Sequence, residues 1–352
     1  MTPATPTPET PPTPGPRGTP APRPTFPGLR EPVTARPYAS GVAELNPRQR
    51  EVRDELLLYG QARPTPDREL GRTLRERAIH ELTALADGLG PGDWVRVDKH
   101  RLSQAHTCTG YLRARSSEEF RWSVANVRGR VLHRALEGLI MSAYRRAPLE
   151  LAHAAIDELA EDDDDRTPGP FLAGLSSGDR QDLARDVNDL VVKFVADWPP
   201  VLAGWSPRVE SAVKLAFGPI RLQAQFDLAI GVPLGDEART FIVDFKSGWQ
   251  QADHRLEARF YGLMETLRTR VPPYRVATYY LDSGDFSYDD VDEELLLTTF
   301  DWVIEGVRRI ILARSDAPVT YEPSGACRWC PGRHDCDDGQ EWLTAFGRHS
   351  AA

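Results

Sequence analysis

Apolar and polar residues alternate with a period of two between residues 208 and 246. The alternation covers two segments, 209–217 and 220–227, and a further apolar run covers 240–246. A period of two is typical of β-strands, whose successive side chains leave opposite faces of a sheet. The gaps between the three segments are short, so we expect three antiparallel strands joined by turns.

Apolar residues at intervals of three and four predict helices before and after these strands. The helices are expected over residues 69–86, 127–143, 253–269 and 293–313, and a further strand is expected near 275–281. Strands and helices in this order predict an α/β fold with a central mixed sheet flanked by helices.

Composition divides the chain into three parts. Residues 1–40 are rich in Pro and Thr and poor in large apolar side chains, which predicts a disordered tail. Residues 41–95 are expected to form a helical segment, and residues 96–345 the main domain. The chain does not open on a signal-peptide pattern, and no apolar run approaches the roughly eighteen residues of a membrane span. We therefore expect a cytoplasmic protein without a membrane partner.

The formal net charge of −9 argues mildly against a protein coated in nucleic acid, but residues 96–146 are locally basic. Between its ends, Arg96 and Arg146, this stretch contains Lys99, Arg101, Arg113, Arg115, Arg121, Arg128, Arg130, Arg134 and Arg145. Tyr111, Phe120 and Trp122 lie among them. Such rings can stack on single-stranded bases, and packing in the core is the alternative.

The four cysteines consist of Cys108 alone and a late C-x2-C-x5-C group, Cys327, Cys330 and Cys336. In a reducing compartment, four thiols favour a metal site over disulfides. A zinc ribbon normally has paired C-x2-C knuckles, and here the first cysteine is solitary. Four thiolates also suit an iron–sulfur cluster, so zinc and iron both remain open at this point.

Asp244 and Lys246 are two residues apart on a predicted strand, so both side chains leave one face and Phe245 leaves the other. Asp227 and Glu210 lie on the preceding strands, and three carboxylates at one sheet edge would suit Mg²⁺. A lysine beside them can orient or deprotonate an attacking water. An ordinary surface ion pair is the alternative for this short motif.

Two further pairs lie on predicted helices. His133 follows Gly129 by one turn at the border of an apolar stripe, where a packed core histidine is the alternative. Glu257 and Tyr261 are four residues apart and share one helix face, which is also common on a solvated surface.

The order of these motifs resembles the RecB-like branch of the PD-(D/E)XK nuclease superfamily, most closely its Cas4-like and AddB-like members with an iron–sulfur cluster. The resemblance covers residues 99–337. It is carried by Cys108, Gly129, His133, Asp227, Asp244, Lys246, Tyr261, Cys327, Cys330 and Cys336. Two positions depart from it, because Glu257 replaces a glutamine and Ala224 a glycine.

The resemblance implies a restriction-endonuclease-like core whose N- and C-terminal parts are stapled by a [4Fe–4S] cluster on the four cysteines. It also implies Mg²⁺ or Mn²⁺ at the second site. The predicted metal-binding residues are His133, Asp227, Asp244 and Phe245. The predicted catalytic residues are Lys246, Asp244, Asp227, Glu257 and Tyr261.

The function expected from the resemblance is a metal-dependent DNA nuclease. We expect an exonuclease acting on single-stranded DNA or DNA ends in repair, recombination or CRISPR-type processing, with a helicase or CRISPR adaptation complex as partner. One alternative is a catalytically weak, iron–sulfur-containing DNA-binding subunit of a helicase–nuclease or adaptation complex. Another is a zinc-stabilised protein unrelated to nucleases.

Overall fold

A mixed six-stranded β-sheet forms the centre of the protein in this computed structural model, which describes residues 44–67, 69–142 and 146–346. Its strands are β1 (Val95–Val97), β2 (Arg208–Phe217), β3 (Ile220–Ile230), β4 (Phe241–Lys246), β5 (Arg275–Tyr280) and β6 (Phe286–Asp290). The predicted tail, residues 1–40, lies outside the described residues.

Strand β3 organises the sheet. It pairs antiparallel with β2 along one edge, and along the other edge it pairs parallel with β1 near its start and antiparallel with β4 near its end. Beyond β4 come β5, parallel to β4, and β6, antiparallel to β5. The three antiparallel strands β2, β3 and β4 are as predicted, whereas β1 and β6 were not predicted.

Helices cover both faces of the sheet. They are α1 (Pro47–Glu51), α2 (Leu70–Ala86), α3 (Lys99–Thr107), α4 (Thr109–Ser116), α5 (Val124–Met141), α6 (Pro148–Ala160), α7 (Gly169–Ala173), α8 (Ser177–Asp197), α9 (Ala252–Thr269), α10 (Glu293–Arg314) and α11 (Asp337–Phe346). Helices α2, α5, α9 and α10 match the four predicted ones to within a few residues. No helix of the described part has the length and apolarity needed to cross a membrane.

One apolar core lies on each face of the sheet, and successive side chains of β4 point alternately into one core and the other. Ile242 packs into the first core, together with buried residues of α2, α3, α9 and α10. Val243 and Phe245 pack into the second core, together with buried residues of α5, α6 and α8. The sheet is therefore covered by helices on both faces, which confirms the predicted α/β layering.

Helices α3 and α4 lie against α10, and this contact brings the first cysteine region close to the C-terminal segment. Gly306 permits the approach, because a Cβ there would lie 2.5 Å from Leu102 Cδ2. The Arg113 guanidinium lies 2.8–3.2 Å from four main-chain carbonyls at the end of α10. Leu312 and Ala313 lie in the last turn of α10, where carbonyls lack the partner that the helix interior supplies, and Ser315 and Ala317 follow the helix.

Candidate active site

Two aspartates lie where strands β3 and β4 separate. The last paired residues of this ladder are Leu228 and Val243, and the next residues along the two strands are Asp227 and Asp244. Asp227 Oδ2 accepts a hydrogen bond of 2.6 Å from the main-chain nitrogen of Phe245. A side chain thus closes the ladder where the main chains diverge, and both carboxylates are buried beside each other.

On the other edge of β3, Glu210 has an unusual backbone. Its φ is +47°, a left-handed conformation that is uncommon for a residue other than glycine. Val209 and Ser211 on either side remain paired to β3, while Glu210 does not. The Glu210 side chain accepts from Gln225 and lies with Oε1 at 3.1 Å from His133 Nδ1. The strained backbone of Glu210 thus coincides with the contact of its carboxylate with His133. Backbone strain of this kind is common at functional sites.

His133, Glu210 and Asp227 form a compact donor group. One ligand atom from each lies within 4.8 Å of the others, and His133 Nδ1 is 3.2 Å from Asp227 Oδ1. Burial disfavours the charged imidazole, but the two carboxylates outweigh it and raise the pKa of His133 to about 10. Burial also raises the pKa of Asp227, an effect that the His133 cation opposes. The two carboxylates therefore favour the protonated imidazole of His133.

Lys246 and Asp244 meet on one side of β4, as predicted. Lys246 Nζ is 2.8 Å from Asp244 Oδ2 and 2.6 Å from Glu257 Oε2. Tyr261, one turn after Glu257 on α9, donates to Asp244 Oδ1 at 3.1 Å. The Phe245 ring points away and packs edge-on against Trp198 with centroids 5.3 Å apart. Any contribution of Phe245 to metal binding therefore comes from its main chain.

Lys99 is a member of this site that the sequence placed only in the basic stretch. Its ammonium lies 2.9 Å from Asp244 Oδ1 and 3.3 Å from Glu257 Oε2. Burial would lower the pKa of Lys99, but Asp244, Tyr261 and Glu257 raise it well above the usual value. Two ammonium groups and two carboxylates thus neutralise one another. The sequence held one indication of this role for Lys99. A buried glutamate at position 257 adds a negative charge that a second cation must neutralise.

All of these residues except Glu257 line one cleft of about 900 Å³. The cleft brings together His133, Asp227, Asp244, Lys246 and Tyr261 with Glu210 and Lys99, whereas Glu257 lines a separate cavity and contacts both lysines. Phe120 and Trp122 also line it, and their rings contact edge to face at 5.0 Å between centroids.

The predicted basic and aromatic stretch is divided by the fold. Arg115 and Arg130 line the cleft, while Arg113 holds the end of α10 and Tyr111 lines a different cavity. Arg145 lies outside the described residues.

That second cavity, of about 200 Å³, is lined by all four cysteines. Three of their sulfurs accept main-chain N–H groups: Cys108 from Glu322 at 3.5 Å, Cys327 from Ser324 at 3.4 Å and Cys336 from Gly339 at 3.4 Å. Burial raises the pKa of the Cys330 thiol, and the other three sulfurs add to the rise. The fold therefore gathers the solitary cysteine and the late group around one space.

The cavity is kept open by a glycine. A Cβ at Gly339 would lie 3.3 Å from Cys336 Sγ and 3.5 Å from Cys327 Sγ, in the space between the two sulfurs. Larger side chains at this position would therefore compete with a group bound by the thiols.

Comparison with known proteins agrees with the site. No curated protein matches the sequence significantly. A solved structure described as the crystal structure of SSO0001 is 11% identical over 61% of this chain and 97% of that chain, with a TM-score of 0.27, an overlap too low to assign a fold. The model of the PD-(D/E)XK nuclease superfamily matches residues 100–337, which include the cysteines, His133 and both aspartates. The chain belongs to the PD-(D/E)XK nuclease superfamily.

Proposed function

We propose that this protein is a deoxyribonuclease that requires Mg²⁺ or Mn²⁺ and acts on single-stranded DNA or on DNA ends. The observation that carries the proposal is the convergence of His133, Asp227, Asp244 and Lys246 in one cleft. His133 lies far from the other three residues in the sequence, and a structural role alone does not require one imidazole, two acids and a lysine at the same sheet edge.

The donor group fits a divalent cation. One imidazole nitrogen and two carboxylate oxygens from His133, Glu210 and Asp227 are within 4.8 Å of one another, and hard cations bind such oxygen-rich sets. The proton on His133 is held by the same two carboxylates and would be replaced by the cation. Asp244 lies beside this group with its oxygens bound by Lys99, Lys246 and Tyr261.

In the proposed reaction, the chain's own groups orient the attacking water and neutralise charge. When bound, the cation supplies charge stabilisation for the phosphodiester in its transition state. Lys246 presents an ammonium group to the cleft and is held in place by Asp244 and Glu257. We assign to it the orientation of water next to the scissile phosphate. Tyr261 is buried and fixes Asp244, so it acts as a positioning residue.

Substitution of Lys246 tests the proposal. Labelled single-stranded and duplex DNA would be incubated with Mg²⁺ or Mn²⁺ and with the wild type, Lys246→Met or the control Lys193→Met. Lys193 lies outside the cleft, and in the described part of the chain its half-exposed ammonium contacts Asp282. We expect metal-dependent cleavage by the wild type and the control, and a loss of about a hundredfold or more for Lys246→Met. Equal cleavage by all three proteins would contradict the assigned role.

The cysteine cavity supports a [4Fe–4S] cluster as the second cofactor of this proposal. No three of the cysteine sulfurs lie within 4.8 Å of one another in the described part of the chain, whereas four thiolates bound to one zinc ion at about 2.3 Å would lie within about 4 Å of one another. Main-chain N–H groups directed at sulfur are typical of cluster sites, whose potential they help to set.

A DNA-binding subunit without activity is less well supported. Its basis was Glu257 in place of glutamine, but the extra charge of this residue is matched by Lys99 and Lys246. The Glu257 carboxylate, neutralised by the two lysines, therefore positions Lys246 and gives no reason to expect an inactive site. A helicase or CRISPR adaptation complex remains the proposed partner, on the resemblance of the motifs alone.

A further inference from the structure

A second basic pocket adjoins the active-site cleft. It has a volume of about 840 Å³ and includes Trp94, Arg96, Arg101 and Arg314, which we call the arginine shelf. Arg96, Phe120 and three further residues line both the shelf and the cleft, so the two spaces are continuous. No residue of the shelf belongs to the donor group or the lysine pairs described above.

Three arginines and two aspartates, Asp93 and Asp98, line the pocket, so its formal charge is positive. Arg96 pairs with Asp98 at 2.8 Å. Arg101 and Arg314 donate to main-chain carbonyls, and neither has a carboxylate within 4 Å in the described part of the chain. Burial lowers the pKa of Arg101, and the nearby Arg314 and Arg96 cations lower it further, against the pull of Asp98. Arginines that crowd together in this way favour an anion that would relieve their repulsion.

The shelf also offers aromatic faces. Trp94 is 45% exposed, and the Arg221 guanidinium lies over its ring at 4.5 Å from the centroid. Phe120, at the junction of shelf and cleft, is 63% exposed. Exposed rings next to unpaired arginines form the combination that binds unpaired bases and their phosphates. A duplex keeps its base faces stacked inside and would not use these rings.

We propose that the arginine shelf binds single-stranded DNA a few nucleotides from the bond to be cleaved, with phosphates on Arg101 and Arg314 and a base stacked on Trp94. The inference rests on the proposed nuclease function for the choice of DNA, and it adds a binding site that feeds one strand into the cleft. The strand would pass His100 on its way from the shelf to the cleft, because His100 lines both spaces and directly follows Lys99.

Binding measured without cleavage tests the shelf. Fluorescein-labelled oligothymidylate, in a short and a long form, would be titrated in EDTA with the wild type, Trp94→Ala, Arg101→Gln, Arg314→Gln and the control Arg308→Gln. Arg308 is exposed on α10, and within the described part of the chain its ion pair is with Glu305. For the long oligonucleotide we expect each shelf variant to bind about tenfold more weakly. Each arginine variant should also lower the slope of log affinity against log salt by roughly 0.7. The control should match the wild type.

Cleavage then separates the two proposals. Shelf variants should raise KM for the long strand but leave hydrolysis of bis(p-nitrophenyl) phosphate unchanged, because that small ester needs only the cleft. Wild-type affinity and KM in all shelf variants, with intact cleavage, would overturn the shelf and leave the nuclease standing. Shelf-dependent binding without any cleavage would overturn the nuclease and leave the shelf. Equal losses for duplex DNA, or tighter shelf-dependent binding of RNA, would overturn the assignment to single-stranded DNA.

Discussion

At the scale of single residues, the site depends on charges that balance in pairs. Asp244 is 1% exposed in its side chain and has Lys99 and Lys246 against its two oxygens. Burial would raise the pKa of Asp244, but the two lysines outweigh burial and hold that pKa well below its usual value. A buried carboxylate of this kind remains ionised only while its cations are present.

Removing Lys99 should therefore destabilise the protein, and removing Glu257 as well should restore part of the loss. Lys99→Met leaves one uncompensated negative charge among Lys246, Asp244 and Glu257, at a cost of about 3 kcal/mol. In Lys99→Met/Glu257→Gln the remaining lysine and aspartate balance again. Urea unfolding of the two single variants and the double variant measures this coupling. A double variant whose loss equals the sum of the single losses would contradict the charge balance.

The His133 proton should make stability depend on pH. The folded pKa is about 10 and the usual value is 6.5, so the stabilisation is fully present below pH 6.5 and is lost as pH rises to 10. In the presence of EDTA, the free energy of unfolding of the wild type should fall over this window relative to His133→Gln. A constant difference between the two proteins across the window would mean that His133 does not hold the proton between Asp227 and Glu210.

At the scale of elements, the long amphipathic helices and strands were predictable from the sequence. The short strand β1 and the contacts between elements were not. The alternation in β2 and β3 and the stripes of α5 and α9 record which face each element buries, so their bounds could be predicted from sequence. Strand β1 has three residues, too few for a period to show. The role of Lys99 also escaped, because it depends on how α3 lies against β4 and α9, which no local pattern records. The φ of +47° at Glu210 was equally invisible.

The contact between α4 and α10 is the element-scale feature most open to test. Arg113 supplies donors to the carbonyls of Leu312, Ala313, Ser315 and Ala317. Arg113→Met should lower the free energy of unfolding by about 2–3 kcal/mol, because hydrogen bonds from a charged donor are lost, including the one to the carbonyl of buried Ala313. The matched substitution Arg308→Met on the exposed face of α10 should change it little. Equal effects of the two substitutions would argue against Arg113 as a clamp.

At the scale of the whole molecule, the four cysteines connect parts of the chain about two hundred positions apart. Their spacing suggested a shared metal, but the sequence alone left zinc and iron open. Only the folded chain brings Cys108 into one cavity with Cys327, Cys330 and Cys336. A cluster there would close a long loop and restrain both ends of the matched domain.

Cys330→Ser should therefore lose the metal and much of the stability. Protein purified without oxygen should contain iron and absorb light at about 400 nm, as thiolate-bound iron–sulfur clusters do. The variant should lose that absorbance and unfold at a lower urea concentration, whereas Ser324→Ala, which keeps all four thiols, should retain the absorbance. Zinc in place of iron in the wild type would contradict the cluster.

We assign Asp244 to the catalytic centre of the proposed metal-dependent nuclease. The most direct measurement is the rate at which Asp244→Asn cleaves labelled single-stranded DNA in Mn²⁺, compared with the wild type and with Asp282→Asn, a control at an exposed ion pair. We expect a loss of about a hundredfold or more for Asp244→Asn and none for the control. Cleavage by folded Asp244→Asn at the wild-type rate would show that Asp244 is not part of the catalytic centre.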